Sequence, residues 1–333
     1  MLTQGISVLT IIILAFIVFD FVLDFILDTI NSKTWDLPIP KELEGIYNEE
    51  QYEKARQYHK AKEKLSSITT VFSTLLIVVF LIFKGFAIVH LQIETISSSP
   101  VLQALLFFGA FSIASDIIGL PFELYGIFLF VVKFGFNKMT FKTYLSDKIK
   151  GYLLGAIIGG ALLSLFVWFY TVAGNNFWWY AWILFSMFTL FFTMFYTSLI
   201  VPIFNKLQPL ETGSLREKIE AFAQKVSFPL TNIFVIDGSK RSTKANAYFS
   251  GLGSKKTIVL FDTLINEQSE DELVSVLAHE VGHYKMKHIQ KGMIIGVLQM
   301  GVLLFILSLF INKPALTQAL GLQTDVPVFH LGL

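Results

Sequence analysis

Residues 276–288, VLAHEVGHYKMKH, contain two histidines, His279 and His283, that are four positions apart. In a helix both imidazoles lie on one face, a single turn apart. Two imidazoles at this spacing can bind one Zn²⁺ at about 2.0–2.1 Å each. Glu280 follows the first histidine, so its carboxylate can take a proton from a water molecule that the metal polarises. The segment predicts a metal-dependent hydrolase with Glu280 as general base; the alternative is a helix with two incidental surface histidines.

The other histidines do not extend this motif. A HExxHxxGxxH pattern needs glycine at position 286 and histidine at position 289, whereas the sequence has Met286 and Ile289. His288 is therefore interpreted as a boundary or surface residue. The chain has no cysteine, so any metal ligands must be His, Asp or Glu. The remaining histidines are interpreted as non-ligands: His59, His90 and His330.

The elements around the motif read as a small α+β domain over residues 205–291. Ser269 and Glu272 form a capping-box pattern, which predicts a helix that begins near Glu270 and carries the two histidines. The preceding stretch, ANAYFSGLGSKKTIVLF, predicts a β-hairpin. Its first strand can hold an extended peptide by main-chain hydrogen bonds, or it can simply pack as a hairpin. The residues placed to form such a substrate edge are Asn246, Ala247 and Tyr248.

Composition predicts a polytopic, otherwise all-α membrane protein around this insert. The chain has 333 residues, of which 54% are hydrophobic, and its mean hydropathy is +0.62. We predict six spans, at about 5–30, 68–91, 101–130, 151–173, 177–204 and 292–311. This divides the chain into a five-span bundle over residues 1–204, the insert, and a last segment over 292–333. A net charge of +1 gives no indication of nucleic acid as a partner, and nothing indicates an oligomeric state.

The loops differ in their lysine and arginine content. Residues 31–67 contain seven, 131–150 contain five and 205–291 contain twelve, whereas 93–100 and 174–176 contain none. Because cytoplasmic loops are enriched in these residues, we expect the N-terminus outside and the metal domain in the cytoplasm. Within the spans, ionisable groups usually face a bundle interior or a wet cavity. The candidates for lining such a chamber are Asp20, Asp24 and Asp116.

Five stretches resemble the integral-membrane zinc metalloproteases of the CAAX prenyl endopeptidase type and, more distantly, the bacterial heat-shock membrane metalloproteases. They are HEVGH, LPFELYGIFLFVVKFGFNKMT from Leu120, VPIFNKLQPLE from Val201, VIDGSKRSTKANAYFSG from Val235 and IVLFDTLI from Ile258. The resemblance implies seven helices around a water-filled chamber, which the zinc domain closes on the cytoplasmic side. It also implies one Zn²⁺ per chain on His279 and His283, Glu280 as catalytic acid/base, and residues 246–248 along the substrate.

The resemblance further implies a third ligand, a glutamate after a seventh span. The chain has no glutamate after Glu280, and its only later acid is Asp325. We therefore expect the seventh span and the third ligand beyond residue 333, with Asp325 as a less favoured substitute.

The resemblance predicts an endopeptidase acting on prenylated CAAX-type or similar C-terminal peptides. The alternatives are membrane-protein quality control, a catalytically incomplete scaffold, and a transporter, for which no repeat symmetry is found. The absence of cysteine and the short basic loops favour a prokaryotic cell membrane, with the endoplasmic reticulum expected for a eukaryote.

Overall fold

The computed structural model describes residues 5–39, 45, 48–250, 256–311 and 313–322. Its contacts divide the chain into two compact units, Met1–Phe134 with Leu309–Leu333, and Gly135–Ser308. The helices of the first unit are α1 Val8–Lys33, α2 Glu49–Ile82, α3 Gly85–Glu94, α4 Pro100–Leu124, the short α5 Val131–Lys133, and α14 Pro314–Ala319. A wide π-helical stretch, Tyr125–Phe130, joins α4 to α5. The predicted division at residues 204/205 and 291/292 stays a prediction.

The second predicted span, residues 68–91, is not one helix. α2 ends at Ile82, and α3 begins at Gly85 after Lys84 adopts the left-handed conformation with φ 56°. A Cβ at Gly85 would lie 2.3 Å from the ring of Phe80, so only glycine permits this close approach. The hydrophobic pattern does not show this break, because the residues on both sides of it are hydrophobic. The helix of this predicted span is therefore interrupted at Phe83–Lys84, and the span itself stays a prediction.

The second unit contains more helices and the only sheet among the described residues. Its helices are α6 Phe141–Leu154, α7 Gly160–Ala173, α8 Phe177–Leu199, α9 Val201–Phe204, α10 Ser214–Lys225, α11 Asp262–Glu267, α12 Glu270–Lys285 and most of α13 His288–Phe310. The strands are β1 Leu207–Pro209, β2 Leu230–Ile236, β3 Ala247–Ser250 and β4 Lys256–Phe261. Their order is β1-β2-β4-β3, with β2 and β4 parallel and the other pairs antiparallel. The predicted hairpin is confirmed as β3 and β4; its tip, residues 251–255, lies outside the described part of the chain.

Five helical stretches in the described residues are long and apolar enough to cross a membrane. They are Val8–Asp36, Tyr52–Ile82, Pro100–Lys133, Phe141–Phe204 and His288–Phe310. Phe141–Phe204 includes two predicted spans, 151–173 and 177–204, with a 3₁₀ turn at Gly174–Asn176 between them. These helices carry large hydrophobic side chains on exposed surface, as lipid-facing helices do. The chain is a multi-pass membrane protein, whereas six spans and a seventh beyond the chain stay predictions.

The acidic residues predicted to line a chamber lie on two helices of the first unit. Asp20 and Asp24 are exposed on α1, one turn apart, and Asp116 is half-buried on α4. Exposed carboxylates one turn apart share a helix face. Their role as chamber-lining residues stays a prediction.

Candidate metal centre

Helix α12 fixes the positions of the three motif residues. It begins at Glu270 as predicted, and its capping box is complete: the Ser269 backbone N–H donates to Glu272 at 2.8 Å, and Glu272 N–H donates back to the Ser269 hydroxyl at 3.4 Å. The Ser269 hydroxyl also donates to the Glu272 carboxylate at 2.7 Å, and this hydrogen bond, together with that from the Ser269 backbone N–H, lowers the pKa of the Glu272 carboxyl. The capped first turn therefore fixes the start of the helix, more than two turns before His279.

The buried face of α12 determines which way the motif points. Leu273 and Leu277 pack into a core that includes residues of α10, β2 and β4, and Val281 packs against Phe228. These residues repeat every four positions, so they anchor one stripe of the helix. His279 and His283 lie off this stripe and are exposed, while Glu280 is half-buried.

The two imidazoles converge on one point. Nε2 of His279 and Nε2 of His283 are 3.1 Å apart, and the ring centroids are 4.8 Å apart with planes at 73°. Two nitrogens at about 2.0–2.1 Å from a tetrahedral zinc lie about 3.3 Å from each other. The observed spacing therefore fits a shared metal, with both nitrogens already on the side where it would bind.

A third histidine, His288, which the sequence indicated as a boundary or surface residue, contacts this pair. Nδ1 of His288 lies 2.7 Å from Nδ1 of His283, and the rings are 4.9 Å apart. The contact uses the ring nitrogen of His283 that faces away from His279. Sequence reasoning missed it because His288 follows a break between α12 and α13, and a break is not visible in the HExxH pattern.

The third ligand is not found among the described residues. No group of three or more His, Asp or Glu side chains in that part of the chain could hold a metal ion. Asp325, the less favoured substitute, lies outside the described residues. A third ligand beyond residue 333 stays a prediction.

Glu280 and His283 line a cavity of ≈ 390 Å³. Its other walls include Tyr248 and Phe249 of β3 and the buried Lys256 of β4. The Lys256 ammonium stacks on the Tyr284 ring, 2.9 Å from its centroid. The cavity thus brings the predicted base and one predicted ligand to the predicted substrate strand.

Strand β3 lies at the edge of the sheet and pairs with β4 alone among the described strands. Phe261 N–H donates to the Asn246 carbonyl at 3.0 Å, so Asn246, Tyr248 and Ser250 direct their main-chain groups at β4. Ladder hydrogen bonds alternate along an antiparallel strand, so Ala247 and Phe249 face the free edge. The Ala247 N–H already donates a hydrogen bond to the Asn246 side-chain oxygen at 2.9 Å. Phe249, which was not predicted, therefore directs its N–H and C=O to the edge that no described strand covers.

A second cavity of ≈ 490 Å³ lies beside the first and shares four wall residues with it, Tyr248, Phe249, Ser250 and Ile289. Its remaining walls come from α8, where the aromatic Phe192 and Tyr196 alternate with Thr193 and Thr197. Burial raises the pKa of the Tyr248 hydroxyl. Tyr248 is accordingly a neutral side chain that lines both cavities.

Two family models together match nearly the whole chain. Residues 27–206 match the CAAX prenyl protease N-terminal model, which is described as five membrane helices, and residues 209–332 match peptidase family M48. The chain belongs to the CAAX prenyl protease family. The predicted resemblance is confirmed, and membership of M48 makes the chain a metallopeptidase-family protein for which a metal cofactor is implied.

Individual relatives agree with this assignment. CAAX prenyl protease 1 of Saccharomyces cerevisiae is 39% identical over 269 residues, covering 78% of this chain and 59% of the yeast protein. A homolog from Dictyostelium discoideum is 36% identical over 302 residues, covering 89% of this chain and 71% of that protein. The crystal structure of S. mikatae Ste24p aligns with a TM-score of 0.92 at 32% identity, over 98% of this chain and 81% of that one. This chain thus spans about three-fifths of its yeast relative.

Proposed function

We propose that this family member is a zinc-dependent membrane endopeptidase that hydrolyses prenylated CAAX-type C-terminal peptides. The observation that carries the proposal is the 3.1 Å separation of two Nε2 atoms on a helix whose Glu280 lines the adjoining cavity. When bound, zinc would polarise the scissile carbonyl and lower the pKa of a water molecule toward about 7. The donor set fits this metal because imidazole is one of its preferred ligands.

The reaction assigned to the chain's own residues is a hydrolysis with one proton relay. Glu280 accepts a proton from the attacking water, whose oxygen forms a bond to the peptide carbonyl carbon. Glu280 then gives that proton to the amide nitrogen as the C–N bond breaks. His279 and His283 supply nitrogen ligands, and neither takes part in proton transfer.

Strand β3 and the two cavities support the choice of substrate. The N–H and C=O of Phe249, which face the edge that no described strand covers, can bind the peptide as an added strand. The larger cavity, half of whose wall residues are aromatic, lies next to that edge and is within the usual ligand-pocket size of about 300–1,000 Å³. An isoprenoid attached to the peptide can fill it while the peptide backbone remains beside Glu280. A prenylated peptide therefore uses both cavities, whereas a plain peptide uses one.

We place the metal domain in the cytoplasm and the N-terminus outside, on the charge bias of the loops. A cytoplasmic active site is consistent with a lipidated cytoplasmic substrate. The expected prokaryotic membrane stays a prediction, and the relatives named above are eukaryotic.

Glu280→Gln provides the test of the proposed mechanism. The protein, expressed from its complete reading frame and loaded with zinc, is assayed on a prenylated CAAX peptide and its unprenylated counterpart. Glu280→Gln should lower kcat by about 10²–10⁴-fold while zinc content is unchanged, because it removes the base and no ligand.

The matched control is Glu217→Gln, which changes an exposed carboxylate on α10 and should leave kcat unchanged. Full activity in Glu280→Gln would contradict the mechanism. Equal cleavage of the two peptides would favour quality-control proteolysis, and no cleavage by zinc-loaded wild type would favour the scaffold.

A further inference from the structure

We propose that His288 is a positioning residue that orients His283 toward the metal, an inference that rests on the proposed function. His283 uses its two ring nitrogens in opposite directions. Nε2 faces Nε2 of His279 at 3.1 Å, and Nδ1 faces Nδ1 of His288 at 2.7 Å. Metal-binding histidines commonly donate their second ring N–H to an acceptor, which fixes the orientation of the ring. Here a neighbouring imidazole takes that role.

The contact depends on the break between α12 and α13. In a continuous helix a residue five positions later lies about 140° around the axis, too far round to meet the first ring. Lys287 instead adopts the left-handed conformation with φ 58°, and α13 begins at the next residue. The Lys287 N–H donates a hydrogen bond to the Tyr284 carbonyl at 2.8 Å, and this bond stabilises the turn. This strained turn directs His288 back onto His283.

The chemistry of the pair determines the position of each proton. An imidazole nitrogen binds a metal through its lone pair, so Nε2 of His283 must be unprotonated and Nδ1 must carry the hydrogen. Nδ1–H of His283 then donates to Nδ1 of His288, which accepts while its own Nε2 carries hydrogen. His288 thereby selects the His283 tautomer that can bind metal. Without this acceptor the ring can also adopt the tautomer whose Nε2 is blocked.

The test measures zinc affinity directly, by competition with a chromophoric chelator. His288→Ala should weaken zinc binding about 10–100-fold, the usual effect of removing a partner of a metal-binding histidine. His288→Asn should restore most of the affinity, because its Oδ1 occupies a position similar to Nδ1 and accepts the same hydrogen bond. Gln290→Ala, an exposed position two residues further on, is the matched control and should bind zinc like wild type.

The outcomes separate this inference from the proposed function. Wild-type affinity in His288→Ala would overturn the inference and leave the zinc centre intact. Weak binding in both His288 variants would also overturn it, since a merely structural histidine is not rescued by an amide acceptor. Failure of wild type to bind zinc would contradict the proposed function itself. Metal-free thermal melts of the variants, matching wild type, exclude misfolding as the cause of weak binding.

Discussion

At the scale of single residues, spacing was enough to predict which side chains lie together, but not all of their partners. His279 and His283 share a helix face because four residues make about one turn, and their Nε2 atoms are 3.1 Å apart. His288 was not predicted as part of the site because it does not match the extended HExxHxxGxxH zinc motif. Its contact depends on the left-handed Lys287, and a lysine gives no signal of that conformation in a sequence.

Tyr248 is the residue where cavity shape and electrostatics can be tested separately. Tyr248→Phe should retain activity and the same pH profile near neutrality, because burial keeps the hydroxyl protonated and the ring is preserved. Tyr248→Ala removes the ring shared by the two cavities. It should lower kcat/KM for the prenylated peptide about 30-fold, which corresponds to roughly 2 kcal/mol for the loss of an aromatic anchor.

Steady-state kinetics from about pH 6 to 9 provide the measurement, with the unprenylated peptide as comparison. Equal effects of Tyr248→Phe and Tyr248→Ala on kcat/KM would contradict the assignment of the Tyr248 ring as a wall shared by the cavities.

At the scale of elements, capping and periodicity predicted α12 and the hairpin correctly. The capping box predicted a start near Glu270 for α12, and the two strand-like runs of the hairpin stretch gave β3 and β4. The break at Phe83–Lys84 was missed, because hydrophobicity continues through it and only the local contact of Gly85 with Phe80 reveals it. Which main-chain groups of β3 face the free edge also depends on register, which the sequence pattern leaves open.

An ion pair within the second unit ties the segment after β2 to helix α6. Arg241 binds Asp147 through two hydrogen bonds, of 2.7 and 2.9 Å, and also donates to the Phe204 carbonyl at 2.8 Å. Both side chains are about one-fifth exposed. Asp147→Ala removes two hydrogen-bond acceptors of the Arg241 guanidinium. It should therefore destabilise the protein by about 1–3 kcal/mol and lower Tm.

Thermal unfolding in detergent checks this prediction. The matched control is Asp271→Ala, which breaks an exposed pair with Lys218 and should leave Tm unchanged, since such pairs contribute little. The same Tm for the two variants would show that the Arg241–Asp147 pair does not stabilise the domain.

At the scale of the whole molecule, composition predicted a multi-pass membrane protein and the motif stretches predicted its family. Five membrane-capable helices and two matching family models agree with both predictions. The third metal ligand could not be located, because no described residues complete the pair. The account therefore depends on two imidazoles holding one zinc at the edge of a substrate cavity.

Anomalous diffraction at the zinc edge, from crystals of the zinc-loaded protein, tests that claim most directly. The account predicts a single strong peak about 2.0–2.1 Å from Nε2 of both His279 and His283. A map in which the two imidazoles turn away from each other, with no peak between them, would contradict it.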